Sequence, residues 1–356
     1  MNTIKKPVYI LVFILLITLL FPASVPAQEN ITDEVRYLLE NYYVDPVASE
    51  ILSAASVEEI LTRLNDPNTT YFSPEEYQDF VNSINMKFCG IGVQIDAVPE
   101  GILIISVFEG SPAKEAGLHP EDIITEAGGH SLAGLSTNEA ASIIRGPEGT
   151  DVKLVIKRGQ STFDVVATRR EIQAPTATGK ILKNHIGYIA ISSFGTDTSA
   201  AVEALINNLK GQNADGWVID LRNNPGGYVD TALNIAGFFL NDNIAMQVKG
   251  QDNITYLYKA YRHDFTFNQP VVLLINGYSA SASEIVAAAV KDYQKVTLTG
   301  ALTYGKGTMQ RTYMLSNGGA LKITVARFYS PNGATIDKTG VTPEIAIQKA
   351  DSLRAA

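Results

Sequence analysis

Between residues 171 and 350 the chain alternates short apolar runs with helical patterns, and this alternation limits its fold more than any other feature. Strand-like runs lie at 186–191, 216–221, 271–275, 296–299 and 321–326. Helical patterns fall between them at 200–209, 229–239 and 283–290. Strands interleaved with helices pack as an α/β layer structure. No internal repeat or low-complexity tract interrupts the pattern.

The preceding segments differ in kind. Residues 28–85 read as helical. Apolar positions recur near helical spacing over 31–43, and 57–64 follows with Glu58 and Glu59 in its first turn. Asp66-Pro67-Asn68 is a stop and turn. Ser73-Pro74-Glu75-Glu76 is a helix start, with Ser73 as cap, Pro74 at the first position and Glu76 placed for a capping box. Residues 86–170 carry β-like runs at 102–107 and 152–157, a helical stretch near 138–144 and a tight turn at 145–150. Phe88-Cys89-Gly90-Ile91-Gly92-Val93 opens this unit. Glycines two apart let successive N–H groups converge on an anion, and a strand edge beside them can take an extended peptide. With Ser111-Pro112-Ala113 and Ala116-Gly117-Leu118 downstream, the order resembles a circularly permuted, bacterial PDZ domain. Such modules often have Gly-Asp where this chain has Glu121-Asp122, which leaves that turn open.

The 356 residues suffice for two or three domains. The formal charge is −9, and removing Lys5 and Lys6 with the acid-free first 27 residues takes it to −11. An acidic chain with no basic stripe is a poor nucleic-acid binder. Residues 1–27 have the three-part layout of a secretory signal: Lys5 and Lys6, an apolar run over 8–21, and small residues ending at Ala27. The expectation is export across the cytoplasmic membrane, to the periplasm or the exterior. An uncleaved run would instead tether the chain to the membrane, although it is short for a full span. Cys89 is the only cysteine and reads as a small apolar packing residue; neither a disulfide nor a zinc site is expected from it.

Two segments carry the chemistry. Asn276-Gly277-Tyr278-Ser279-Ala280-Ser281-Ala282-Ser283-Glu284-Ile285 is a serine-rich turn between an apolar run and a helix. Tyr304-Gly305-Lys306-Gly307-Thr308-Met309-Gln310 places a lysine between glycines, with a glutamine four residues on. A serine attacks only when something takes its proton, and a lysine can do so where its surroundings leave the amine neutral. Spacing alone does not choose among the three serines; Ser283 suits the N-cap of the following helix and Ser279 the turn. Residues 300–306 also fit G-x-x-x-x-G-K, but Gly307 stands where a phosphate loop needs Ser or Thr, and a strand-like stretch follows. His119, His130, His185 and His263 lie in no catalytic pattern, so neither a Ser–His–Asp site nor a zinc mechanism has support.

These blocks, with Asp220-Leu221-Arg222-Asn223-Asn224-Pro225-Gly226-Gly227 and the Leu64 to Phe72 stretch, resemble the carboxy-terminal processing peptidases, or tail-specific proteases. The likeness runs from about residue 33 to about residue 347. It implies a multidomain α/β (α+β) chain: signal 1–27, helical region 28–85, PDZ domain 86–170, serine protease core 171–350 and a short tail 351–356. It implies Ser281 as nucleophile, Lys306 as general base and Gln310 as the residue that orients the lysine. The N–H groups of Gly227 (Gly226 as fallback) and Ala282 would form the oxyanion hole. Phe88, Cys89, Gly90, Ile91, Gly92 and Val93 would hold a peptide carboxylate, and Arg145 is the candidate that couples the PDZ domain to the core. No cofactor is called for. Flexible or unfolded protein C-termini are the expected substrates, with room for a regulatory protein. The alternatives are a non-catalytic adaptor that binds protein tails and a protease silent until a partner binds. Family members with a longer C-terminal helical extension dimerise through it; a dimer of that kind is not expected here.

Overall fold

The computed structural model describes residues 31–347. The expected signal at 1–27 and the tail at 351–356 lie outside that range. The chain is a multidomain mix of helix and strand, and its alternating half forms a six-stranded sheet. In spatial order the strands are Ala177–Ile181, Ile186–Ile191, Gly216–Asp220, Val271–Ile275, Thr297–Gly300 and Ile345–Ala346. The first pair is antiparallel and the rest are parallel. Helices Thr198–Gly211, Val229–Leu240 and Ala282–Asp292 make the crossovers. Strands covered on both faces read as continuous apolar runs; Gly216–Asp220 is buried along its whole length. Trp217, Phe238, Phe239, Leu273 and Ile285 belong to one core cluster, and burying each such side chain contributes about 1.5–3 kcal/mol.

A second sheet is built around the ten-residue strand Ala320–Tyr329, which pairs with Thr70–Phe72, Ile244–Lys249 and Thr308–Met314. Thr255–Lys259 forms its outer edge. Helices Ile31–Tyr42 and Val57–Leu64 bury Val35, Leu39 and Ile60 against Leu315, Leu321 and Ile323 of this sheet. The helical region therefore shares a core with the second sheet. Helix Pro74–Ile84 begins as its sequence dictates, with Ser73 and Glu76 forming a reciprocal capping box. Ile244–Lys249 and Thr255–Lys259 had no strand signal in the sequence. Every residue of the latter is exposed, so no apolar alternation marks it and only its pairing partner makes it a strand.

The middle unit has its own core of Ile102, Ile104, Ile124, Leu154 and Ile156. It enters and leaves through a two-stranded ribbon, Lys87–Gly90 against Arg170–Gln173. Glu121 adopts φ +75°, the conformation a glycine would take without strain. Asp122 beside it is 1% exposed, accepts the His119 N–H at 2.9 Å and holds the Arg158 guanidinium at 2.6 and 2.7 Å. Side chains thus fix the turn that the sequence left open.

Candidate active site

The loops after three successive parallel strands, Gly216–Asp220, Val271–Ile275 and Thr297–Gly300, converge at the carboxyl end of the sheet. Ligands bind there in α/β folds. The second loop carries the three serines, and their surroundings separate them. Ser279 and Ser283 are fully buried. The Ser279 hydroxyl donates to the Leu221 carbonyl at 2.8 Å, and that of Ser283 to the Asn224 carbonyl at 2.9 Å. Of the three, Ser281 alone lines the open cavity. It also takes the N-cap of the Ala282–Asp292 helix, the place expected of Ser283. Its backbone is strained, at φ 55° and ψ −113°. Such conformations cost about 1–3 kcal/mol and collect at functional sites.

The cavity measures about 600 Å³ and is shared by Ser281, Lys306 and Gln310. Its walls include Phe80, Ile84, Tyr228, Met309 and Phe328, so it is mostly apolar around a few polar groups. Burial pushes the Lys306 ammonium below the ordinary lysine range, against the opposing pull of Asp66 and Glu284. The lysine loop needs its second glycine: a Cβ at Gly307 would stand 2.2 Å from the Asp337 nitrogen. Gln310 donates from its amide to the Thr308 and Thr324 hydroxyls at 2.9 and 3.3 Å. It reaches Lys306 only through the shared cavity.

Backbone donors face the same space. Phe194 bonds in parallel register to the Gly226 carbonyl and the Tyr228 N–H, both sides of Gly227. This register turns the Gly227 N–H away from Phe194. Among the described residues neither that N–H nor the Ala282 N–H makes a hydrogen bond. The Gly226 N–H is taken by Asn224 Oδ1 at 2.9 Å, which removes Gly226 as a donor. Gly226 is instead a close-approach position, at φ +106°, where a Cβ would lie 2.9 Å from the Ala282 nitrogen and the Ser281 Cβ. Asp220 and Arg222 form an ion pair at 2.5 Å, and Tyr188 donates to the same carboxylate at 2.7 Å.

Glu284 ties the two chemical segments together, and its role was not legible in the sequence. Its side chain is fully buried. One oxygen accepts the Ser281 and Lys306 N–H groups, both at 2.8 Å. The other accepts the Gly305 N–H at 2.7 Å and the Thr303 hydroxyl at 2.5 Å. Asp66, read only as a turn residue, reaches across from the helical region to accept from the Thr69 and Thr324 hydroxyls, both at 2.7 Å. Thr324 also contacts Gln310.

The middle unit has a separate groove of about 140 Å³ between strand Val93–Val98 and helix Thr137–Ile144. Phe88, Gly90, Ile91, Gly92 and Val93 line it; Cys89 does not. The carbonyls of Ile91 and Gly92 are bonded by the Ala113 and Phe108 N–H groups. Arg145 caps that helix and lines the groove, its guanidinium 4.7 Å from the Phe88 ring centre.

Comparisons with known proteins bear on the family and the fold. Residues 185–347 match the model of peptidase family S41, and residues 103–158 match a PDZ domain. The carboxy-terminal processing protease CtpA of Bacillus subtilis is 34% identical over 316 residues, 88% of this chain and 67% of that protein. A CtpA-like serine protease of Staphylococcus aureus is 32% identical over 90% of this chain and 65% of its own length. The chain thus spans about two thirds of the curated relatives it matches. Among solved structures, a photosystem II D1 C-terminal processing protease superposes with a TM-score of 0.59 at 24% identity, covering 91% of this chain and 94% of that one. A Bacteroides fragilis protein described as an S41 protease gives 0.64 at 17% identity, covering 90% and 91%. These two likenesses bear on the fold alone.

Proposed function

The chain belongs to the carboxy-terminal processing proteases of peptidase family S41, and from that premise we propose an exported serine endopeptidase that grips protein C-termini in its PDZ groove and cuts them by a serine–lysine mechanism. One observation carries this reading. Of the three serines, only Ser281 lines a cavity, and the same cavity holds a lysine whose burial favours the neutral amine. The unbonded Gly227 and Ala282 N–H groups supply donors for the oxygen that becomes negative. In acyl-transfer enzymes such a donor contributes roughly 3 kcal/mol.

In this mechanism neutral Lys306 takes the Ser281 proton as Oγ attacks the scissile carbonyl. The tetrahedral oxyanion collapses, and the Lys306 ammonium returns the proton to the leaving amine. An acyl-enzyme remains on Ser281. Water, deprotonated by the same amine, attacks the ester and frees the new C-terminus with the serine restored. Gln310 and Thr324 hold the wall beside the lysine. The groove near Phe88 to Val93 takes the tail's carboxylate on its glycine-flanked N–H groups, and Arg145, stacked on Phe88, registers its occupancy. The first 27 residues supply export, which N-terminal sequencing of the mature protein checks through a start at Gln28.

The test is cleavage of an unfolded protein with an apolar C-terminus by residues 28–356 and by its Ser281→Ala and Lys306→Ala variants. The wild type should cut and both variants should be inert. Its kcat/KM should rise with pH along a limb below the ordinary lysine range, since activity needs the neutral amine. A variant that still cuts removes its residue from the mechanism. A wild type that binds tails without cutting them makes the chain an adaptor or a partner-gated protease.

A further inference from the structure

The cleft contains a second lysine that the mechanism above leaves unused. Lys322 lies on strand Ala320–Tyr329, opposite Thr312 on one side and Thr70 on the other. It is half-buried and lines the same cavity as Ser281 and Lys306. Its ammonium stands 4.7 Å from the ring centre of Phe80 and 5.2 Å from that of Phe72, two rings stacked 5.0 Å apart. Among the described residues it has no salt-bridged carboxylate.

Two ammonium groups in one partly desolvated cavity repel each other, and few groups offset them. Asp66 faces both lysines and Glu284 faces Lys306. Asp66 is already shared among Thr69, Thr324 and the Asn68 N–H, with the Tyr43 phenol beside it. Glu284 already accepts four hydrogen bonds. Farther along the strand Arg327 is paired with Asp45, and Asp337 packs against Gly307. Burial pushes the Lys322 ammonium down, the Lys306 charge adds to this, and Asp66 opposes both. The cleft therefore favours one proton on the pair over two. The Lys306 charge depresses Lys322 rather than the reverse, so the aromatic rings alone favour leaving the proton on Lys322: a ring face attracts a cation, and two rings face it. Environments that differ in this way push two titrating groups apart.

We propose that Lys322 is a positioning residue that keeps the pair's single proton on the Phe72–Phe80 platform, so that Lys306 stands neutral to receive the proton of Ser281. The inference rests on the serine–lysine reading. During acylation the Ser281 proton passes to Lys306, and two ammonium groups then share the cavity. Their repulsion favours release of the Lys306 proton to the leaving amine, which restores the resting pair.

The experiment compares kcat/KM against pH for wild type, Lys322→Met and Lys322→Arg, with Lys306→Ala as reference and unfolded protein as substrate. Lys322→Met should move the acid limb upward by about one unit. That shift means roughly a tenfold loss near neutrality and recovery of the rate in alkali. Lys322→Arg retains a permanent charge and should keep the limb at or below its wild-type position. A Lys322→Met loss by the same factor at every pH, or an arginine variant that behaves like the methionine one, overturns the proposal in favour of a purely packing role. Lys306→Ala separates the two levels of argument. If it is active, the serine–lysine reading fails. If it is inert while the Lys322→Met limb stays in place, only the role of Lys322 fails.

Discussion

Replacing Glu284 with glutamine is a near-isosteric change with a large expected effect. The carboxylate accepts four hydrogen bonds, two on each oxygen, three of them from backbone N–H groups. The amide nitrogen of glutamine must replace one oxygen and there faces donors. The less costly orientation points it at Thr303, whose hydroxyl can rotate to accept, and leaves the Gly305 N–H opposite another donor. Two bonds to a carboxylate are then lost in a fully buried site, at about 1.5–3 kcal/mol each. The sum, about 3–6 kcal/mol, is a large part of the roughly 5–15 kcal/mol that folded chains typically have. In thermal unfolding followed by circular dichroism, Tm should fall by roughly 10 °C. Because Gly305 precedes Lys306, the lysine should shift relative to Ser281, and kcat/KM should drop about a hundredfold, the usual cost of an ångström of misplacement. A Tm within about 2 °C of wild type, with activity within about threefold, would refute the view that this carboxylate joins nucleophile and base.

Three further substitutions test separate parts of the structure. Gly226→Ala forces a Cβ to 2.8 Å from the Ala280 carbonyl at a positive φ; it should cost at least about a hundredfold in activity and roughly 2 kcal/mol in stability, and near-normal cleavage would sink this reading. Glu121→Gly relieves the φ +75° strain in the PDZ domain and should raise stability in urea unfolding by about 0.5–1 kcal/mol. Burial would raise the Asp122 carboxyl, but the Arg158 guanidinium and the His119 N–H outweigh it and hold it below the ordinary range. A carboxyl depressed in the fold stabilises fully above its unfolded value, near pH 4, and loses that contribution as pH falls through its folded value. Asp122→Asn should therefore cost roughly 1–2 kcal/mol at pH 7, kept low because Arg158 is partly in solvent, and progressively less as pH falls through the folded value. Acid-unfolding curves that stay parallel would contradict this.

The alternating half of the fold was legible because its central strands are buried on both faces and their apolar runs announce them. Thr255–Lys259 was not, since nothing in an exposed edge strand fixes its period. The site was legible in its motifs and not in their internal logic. Three serines within five residues look alike in sequence. They differ because Ser279 and Ser283 meet the carbonyls of Leu221 and Asn224, which approach only through the strand order of the sheet. Ser283 suited an N-cap by type, yet the strained turn puts Ser281 there. Glu284 followed the serines as an ordinary first-turn acid, and its four donors come from both chemical segments. Asp66 and Lys322 are the hardest cases. Their part in the cleft depends on a pairing between strands at opposite ends of the chain.

That pairing also sets an order of events. Thr70 lies beside Lys322 in the sheet, so about 250 residues must be made between one wall of the cleft and its partner, a closure that comes late in any folding sequence. The PDZ domain, with its own core, can fold while the rest is still being synthesised. The lysine loop and the strand that bears Lys322 follow the PDZ domain in the sequence. A growing chain of this protease therefore holds a finished PDZ domain and an unfinished cleft. Under the proposed mechanism, cutting waits until the strand Ala320–Tyr329 has paired with Thr70–Phe72.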